Sequence, residues 1–284
     1  MKEEIRIGLI ADIHAGRTAG TKKGETANTL LRQALHELTE AGVDVVVDVG
    51  DRVNNGETSE EYEALTQVGR IFQEAGLSRI HLIGNHDVVS LSAADHELAL
   101  AAPCRSDVVE VSGLAIIQWI PDASIGPHGF TLSPTDLEWL AETARRIDQP
   151  AILLSHIPIS DASMVGNYYF EQFRGGPYDG GAGNYSNAAE ARRILRSNPW
   201  ISLCVAGHVH WNSVRTVDGV RHVTVQSLTE SFTTDGRPAG AYAILELADG
   251  TMTLDVHGLD PMRLSLPAPF PRTNWPDPLR EIPV

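Results

Sequence analysis

Residues 81–89 read HLIGNHDVV, an apolar run that ends in Gly84 and is followed at once by Asn85, His86 and Asp87. A buried strand that merely turned into a loop would not need three consecutive polar side chains at its end. In open α/β sheets, by contrast, ligands gather beyond the carboxyl ends of the strands. The same design recurs outward from this stretch. IRIGLI (5–10) runs into Asp12 and His14, VDVVVDVG (43–50) into Asp51, AILLS (151–155) into His156, and ISLCVAG (201–207) into His208 and His210. Five strand ends deliver polar groups, and the pattern predicts that they share one rim.

Helical spacing fills the gaps between the early strands. In ANTLLRQALHELTEAG (27–42), Leu30, Leu31, Ala34, Leu35, Leu38 and Ala41 recur on one face and Gly42 ends the run. Thr58 and Glu61 read as a capping box for SEEYEALTQVGRIFQEAG (59–76). Alternation of this kind predicts an α/β protein with strands covered on both faces. Further on, VVEVSGLAIIQWI (108–120) reads as a hairpin about Ser112 and Gly113, SPTDLEWLAETARRI (133–147) as a helix capped by Ser133, and SNAAEARRILRS (186–197) as another helix. The runs ISLCVAG, NSVRTV, VRHVTVQSL, AYAILEL and TMTLDVH have the layout of an antiparallel meander.

Two segments stand apart. Residues 166–187 are rich in Gly, Tyr and Asn without periodicity and read as a long loop, of the kind that is usually functional or disordered. Residues 259–284 carry seven prolines, so they read as an extended tail following a domain of residues 1–258, covering a sheet edge or joining a homo-oligomer.

Of the 284 residues, 42% are apolar and 21% charged, ordinary for a globular chain, and the net charge is −15. That balance argues against a face able to neutralise long nucleic acid or adhere to an anionic membrane, and leaves small molecules or compact anions as substrates. No run approaches the length of a membrane span. Cys104 and Cys204 are far apart and read as reduced, buried thiols. The N-terminus places two acids where a signal peptide would be basic, which predicts a cytoplasmic location.

The strand-end inventory is two aspartates, one asparagine and four histidines, with His86 to spare. Carboxylate, amide and imidazole donors without thiolate suit a borderline divalent metal such as Mn, Fe or Zn. Seven ligands are too many for one ion and suit two, provided one carboxylate bridges them.

The series Asp12-x-His14, Gly50-Asp51, Gly84-Asn85-His86-Asp87, His156 and Gly207-His208-x-His210 resembles the calcineurin-like metallophosphoesterases in order and spacing, over about residues 5–226. The resemblance implies a four-layer α/β/β/α sandwich, two packed mixed sheets flanked by helices. It implies that Asp12, His14 and His210 hold one metal, that Asn85, His156 and His208 hold the other, and that Asp51 bridges them. The implied reaction is attack of a metal-bridging hydroxide on a small phosphate ester; the resemblance does not separate diesters from monoesters, and the negative charge of the chain with the long loop of residues 166–187 favours a phosphodiester, a nucleotide-type ester among them. His86, as imidazolium, is assigned to protonating the leaving group, with Asp87 to orient it. Arg52 reads either as a phosphate contact or as the partner of an acid. Tyr168, Tyr169, Arg174, Tyr178, Asn184 and Tyr185, on the long loop, are candidates for substrate contact. The competing readings are a phosphomonoesterase on the same site, a non-catalytic scaffold of the same fold, and a dinuclear amide or lactone hydrolase.

Overall fold

In the first strand, β1 (Glu4–Ile10), Ile5, Ile7 and Leu9 face an interior between two sheets while Gly8 and Ile10 face outward onto helices. A Cβ at Gly8 would lie 2.9 Å from the methyl carbons of Leu38, so the bare glycine is what lets the neighbouring helix approach so closely. The computed structural model describes residues 4–173 and 182–276.

After β1 come α1 (Ala27–Glu40), β2 (Val45–Asp48), α2 (Thr58–Ala75), β3 (Arg79–His81) and α3 (Ala93–Leu100). Next are β4 (Asp107–Val111), β5 (Leu114–Gln118), α4 (Pro134–Arg146), β6 (Ala151–Leu154), α5 (Ala188–Ser197) and β7 (Ile201–Ala206). The chain continues through β8 (Ser213–Val217), β9 (Val220–Thr224), β10 (Tyr242–Ala248), β11 (Thr251–His257) and β12 (Met262–Pro267).

These strands form two six-stranded mixed sheets, ordered β12-β11-β10-β1-β2-β3 and β4-β5-β6-β7-β9-β8. The sheets face each other across a core that joins Ile7, Leu9 and Val47 of the first to Leu114, Ile116, Leu154 and Val205 of the second. Leu31, Leu35 and Leu38 of α1 and Val68, Ile71 and Phe72 of α2 cover the outer face of the first sheet. Leu140 of α4 and Ala191 and Leu195 of α5 cover the outer face of the second. The architecture is thus the α/β/β/α sandwich. Among the described residues no helix is long and apolar enough to cross a membrane.

Four features differ from the sequence reading or add to it. The late strands are not one meander: β9 pairs in parallel with β7 and antiparallel with β8, whereas β10 crosses to the other sheet and pairs with β1. The crossing segment, residues 225–241, runs past the carboxyl ends of the strands, and it carries a residue needed there. Thr58 and Glu61 form no capping box; Glu57 is the N-cap residue, and Glu61 instead accepts the backbone N–H of Gly56 at 3.1 Å. Helix α3, which weak apolar spacing conceals in the sequence, starts from a capping box of Ser92 and Asp95. Residues 259–276 stay with the body. β12 pairs with β11 at the sheet edge, and Arg272 then donates to the carbonyl oxygens of Leu195 (2.8 Å) and Ile201 (3.0 Å) on the second sheet's side.

Candidate metal centre

The parallel strands of both sheets end at one rim, and the backbone there is bent sharply. Asp12, His14, Asp51, His208 and His210 all take positive φ, from 45° to 67°, a conformation that costs non-glycine residues energy and that clusters at functional sites. The loops brace one another. Asp12 N–H donates to Gly50 O at 3.1 Å, His14 N–H to Asp51 O at 2.9 Å, and His208 N–H to both Asp12 carboxylate oxygens at 3.1 and 3.0 Å.

The glycines of the motifs are spacers for this convergence. A Cβ at Gly84 would lie 2.1 Å from Oδ1 of Asp51, one at Gly207 would lie 2.6 Å from Oδ2 of Asp12, and one at Gly50 would lie 2.9 Å from Nδ1 of His156. Each glycine sits where a carboxylate or imidazole must pass.

Two clusters of ligand atoms result. Asp12, His14, Asp51 and His210 form one, and Asp51, His156 and His208 form the other, with the atoms of each inside 4.8 Å of one another; Asp51 belongs to both. Asn85 joins the second, its Oδ1 lying 3.2 Å from Nε2 of His156. The structure therefore brings all seven strand-end residues together.

Their hydrogen bonds suit a cation. His14 Nδ1–H donates to Val53 O (3.3 Å), His156 Nδ1–H to Val49 O (2.9 Å), His208 Nε2–H to Ala182 O (2.8 Å), and His210 Nδ1–H to Glu230 Oε2 (2.8 Å). A carbonyl or carboxylate oxygen can only accept, so each outer ring nitrogen is the donor and each inner one is left with a lone pair for the centre. His14 Nε2 and His210 Nε2 face each other at 3.0 Å, while Asp51 Oδ2 lies 3.3 Å from His156 Nε2 and 3.7 Å from His14 Nε2. Lone pairs converging on carboxylate oxygens require positive charge between them. Without metal, protons supply part of it. Burial works against a charged imidazole, but Asp51 outweighs it at His156, and Asp12 with Glu230 outweighs it at His210, so both are lifted to about 9. At His208 burial, helped by His156, prevails and takes it down to about 3. The donor set, its orientation and its appetite for positive charge all fit divalent metal.

The remaining sequence candidates divide. Tyr169 lines the cleft, its ring 5.2 Å from that of His210 and its hydroxyl 2.6 Å from Thr21 Oγ1. Tyr168 is exposed and stacks on Phe232. Tyr185 is buried against Trp119 and Phe130 in the second helical layer, and Asn184 donates to Ala162 O, so both serve packing rather than substrate contact. Arg174 and Tyr178 lie outside the described residues. Arg52 is fully buried and pairs with Asp48 (2.5 Å) and Asp87 (3.0 Å), which decides for the acid partner over the phosphate.

Asp87 is turned away from His86. Its carboxylate accepts the backbone N–H groups of Asp51 (2.9 Å), Arg52 (2.8 Å) and Gly84 (2.9 Å) together with the Arg52 guanidinium. It holds the loop that presents Asp51, so the reading of Asp87 as the orienter of His86 is corrected. Asn55, whose Oδ1 accepts His86 Nδ1–H at 2.7 Å, does that instead. His86 is also held below the usual imidazole range, by burial first and then by Lys22 and His210 against the pull of Asp51, so it rests neutral rather than as imidazolium.

Three further features escape the sequence reading. Glu230 lies on the crossing segment 20 positions after His210, with no motif around it. Lys22 sits in TKKG, which looks like a solvated turn, yet it is only 8% exposed. Phe130 and Phe170, with Tyr169, make one aromatic wall of a cleft of about 210 Å³ over Asp51, Asn85 and His208. Beside it opens a larger, polar cavity of about 790 Å³ between the loop of residues 16–19 and helices α1 and α2. Lys22 and His86 line both.

A family model described as calcineurin-like phosphoesterase matches residues 5–212, the span that contains every one of these strand ends. The chain belongs to the calcineurin-like phosphoesterase family. Among solved structures of this fold, a dimetal phosphatase from Danio rerio superposes with a TM-score of 0.74 at 16% identity, covering 93% of this chain and 99% of that one. A purple acid phosphatase from yellow lupin (Lupinus luteus) gives 0.64 at 12% identity, covering 91% of this chain and 52% of the lupin chain. The fold is shared as well with GAP50, described as the anchor in the inner membrane complex of Plasmodium (TM-score 0.52, 13% identity, 92% and 90% covered). No curated protein matches the sequence.

Proposed function

We propose that the protein is a dinuclear metal-dependent phosphodiesterase. The observation that carries the reading is the pair of ligand clusters sharing Asp51, set where an aromatic cleft of about 210 Å³ meets a polar cavity of about 790 Å³. A phosphate at that junction has room for an ester arm on each side, which a monoester would not use. Asp12, His14 and His210 would hold one ion, and Asn85, His156 and His208 the other, with Asp51 between them. When bound, two such ions supply Lewis-acid activation of water and charge for the phosphoryl oxygens. Mn, Fe and Zn all suit these donors.

The residues of the chain do the rest. Asp87 and the Gly84 turn hold Asp51 in place, and the outward hydrogen bonds of the four histidines aim their inner nitrogens. His86 is the group that moves a proton to the leaving oxygen. Its neutral resting state is compatible with that role because an incoming phosphate adds negative charge beside it and raises its affinity for a proton. Asn55 fixes the ring through Nδ1 and leaves Nε2 for the substrate. A cytoplasmic setting suits the two buried, unpaired cysteines.

The test is direct. With Mn supplied, the protein is expected to hydrolyse bis(p-nitrophenyl) phosphate with a higher kcat/KM than p-nitrophenyl phosphate, and to carry two equivalents of metal. The reverse preference assigns it to the monoesterases, and failure to bind metal assigns it to the scaffolds. His86→Ala is expected to slow an alkyl diester more than an aryl one, since only the poorer leaving group needs the proton.

A further inference from the structure

Lys22 is a nearly buried lysine without an ion-pair partner among the described residues. The residue is 8% exposed, and among the described residues its ammonium makes no ion pair within 4.0 Å; Nζ lies over the ring of Tyr169, 5.9 Å from the centroid. The acids whose charge it feels are Asp51, Glu230, Asp12 and Glu61. Three are engaged elsewhere: Asp51 by His156 and the N–H of His86, Glu230 by His210 and two backbone N–H groups, and Asp12 by the N–H of His208; the fourth, Glu61, accepts the N–H of Gly56 through Oε1 and lies beyond ion-pair distance of Lys22. An unpaired buried charge is costly. Burial duly lowers the pKa of this lysine, against the pull of those carboxylates.

The position is not an accident of a loose loop. Ala19 and Lys22 exchange backbone hydrogen bonds (3.0 and 3.1 Å), and Lys23 N–H donates to Thr229 O at 2.9 Å. Gly24 packs so tightly that a Cβ there would lie 2.5 Å from the carbonyl oxygen of His14. The turn is clamped directly onto the backbone of a cluster residue, and Lys22 is delivered with it to the junction of the aromatic cleft and the polar cavity, beside His86.

We propose that Lys22 is a phosphate-binding residue of this site: its ammonium pairs with the phosphate of the ester at the neck between the two cavities, and so directs one ester arm into the cavity beside α1 and α2. This rests on the phosphoesterase reading above. Asp12 and Asp51 are committed to ions when metal is bound, so the anion that completes the surroundings of Lys22 is the substrate. A lysine supplies a point charge, well matched to a phosphate oxygen that changes position during the reaction.

Calorimetric titration of inorganic phosphate into the Mn-loaded full chain tests this. Lys22→Met is expected to bind phosphate roughly ten- to hundred-fold more weakly than wild type, with metal content unchanged, and Lys22→Arg is expected to recover much of the loss. In the metal-free protein, Lys22→Met is expected to melt at or above the wild-type temperature, because a charge held for a ligand stabilises nothing in its absence. Equal phosphate binding by wild type and Lys22→Met overturns the proposal while leaving the phosphoesterase reading intact. A metal-free Lys22→Met that melts well below wild type shows a structural lysine and overturns it too. If the wild-type protein binds metal but no phosphate, the phosphoesterase reading falls and the role of Lys22 falls with it.

Discussion

Oε2 of Glu230 accepts the Nδ1–H of His210 at 2.8 Å, and Oε1 of the same carboxylate accepts the backbone N–H groups of Ser231 and Phe232 at 2.7 and 3.1 Å. Burial opposes ionisation of Glu230, yet these bonds and the charge of His210 hold its pKa at about 2, so it is a carboxylate throughout the working range. Its task is to fix the tautomer of His210 and make the inner nitrogen more basic. Partners of this kind are worth about 10–100-fold in metal affinity. Glu230→Gln, which keeps the shape and loses the charge, is expected to weaken metal binding by about that factor without unfolding the chain. Metal titration checks it, and an unchanged affinity would make Glu230 a bystander.

Gly84 is the tightest point of the centre, with no space between its Cα and the carboxylate of Asp51. Gly84→Ala must displace either the strand end or Asp51, at a cost of about 1–3 kcal/mol for overpacking. Because Asp51 is the group shared by both clusters, the expected result is loss of both metal equivalents rather than one. Metal analysis of the purified variant reads this out; retention of two equivalents would contradict so close a convergence.

The fold and the seven strand-end residues are legible in the sequence because both are local in origin. Apolar runs mark the strands, and the polar residue after each run is carried to the rim wherever the strand goes. The meander reading fails because hairpin signals such as Asp218-Gly219 and Asp249-Gly250 say that neighbouring strands pair but not which sheet each hairpin joins; the move of β10 to β1 is a long-range choice. Asp87 misleads for a related reason. Its neighbour in sequence is His86, but its partners Arg52 and Asp51 N–H come from another strand end. Glu230 and Lys22 carry no local signal at all, since a glutamate or lysine in a turn is ordinarily solvated.

Arg52 supplies the counter-charge for two fully buried carboxylates, Asp48 at 2.5 Å and Asp87 at 3.0 Å, and also donates to Leu82 O, while His96 completes the cluster. Removing one partner of such a network leaves buried charge uncompensated, typically about 3–5 kcal/mol. Arg52→Met is therefore expected to cost that much stability, read as a lower urea midpoint. Arg52→Lys is expected to rescue little, because a single ammonium cannot reach Asp48, Asp87 and the Leu82 carbonyl together. A lysine variant of wild-type stability would show that charge alone suffices.

Glu61 makes stability depend on pH in a direction unusual for an acid. Its Oε1 accepts Gly56 N–H, its Oε2 has no hydrogen-bond partner among the described residues, and burial lifts its pKa from the ordinary 4.5 to about 7. Between those values the folded protein keeps a proton that the unfolded chain has released. The stability contributed by the neutral carboxyl is therefore complete below about 4.5 and is lost as pH rises through about 7. Glu61→Gln fixes the neutral form at every pH. In metal-free protein it is expected to match the wild-type melting temperature near pH 4.5 and to exceed it at pH 8, by about 2–4 °C for a chain of this size. A gap that is the same at both pH values would place the effect in packing, and a gap that opened toward low pH instead would mean that Glu61 is ionised in the fold.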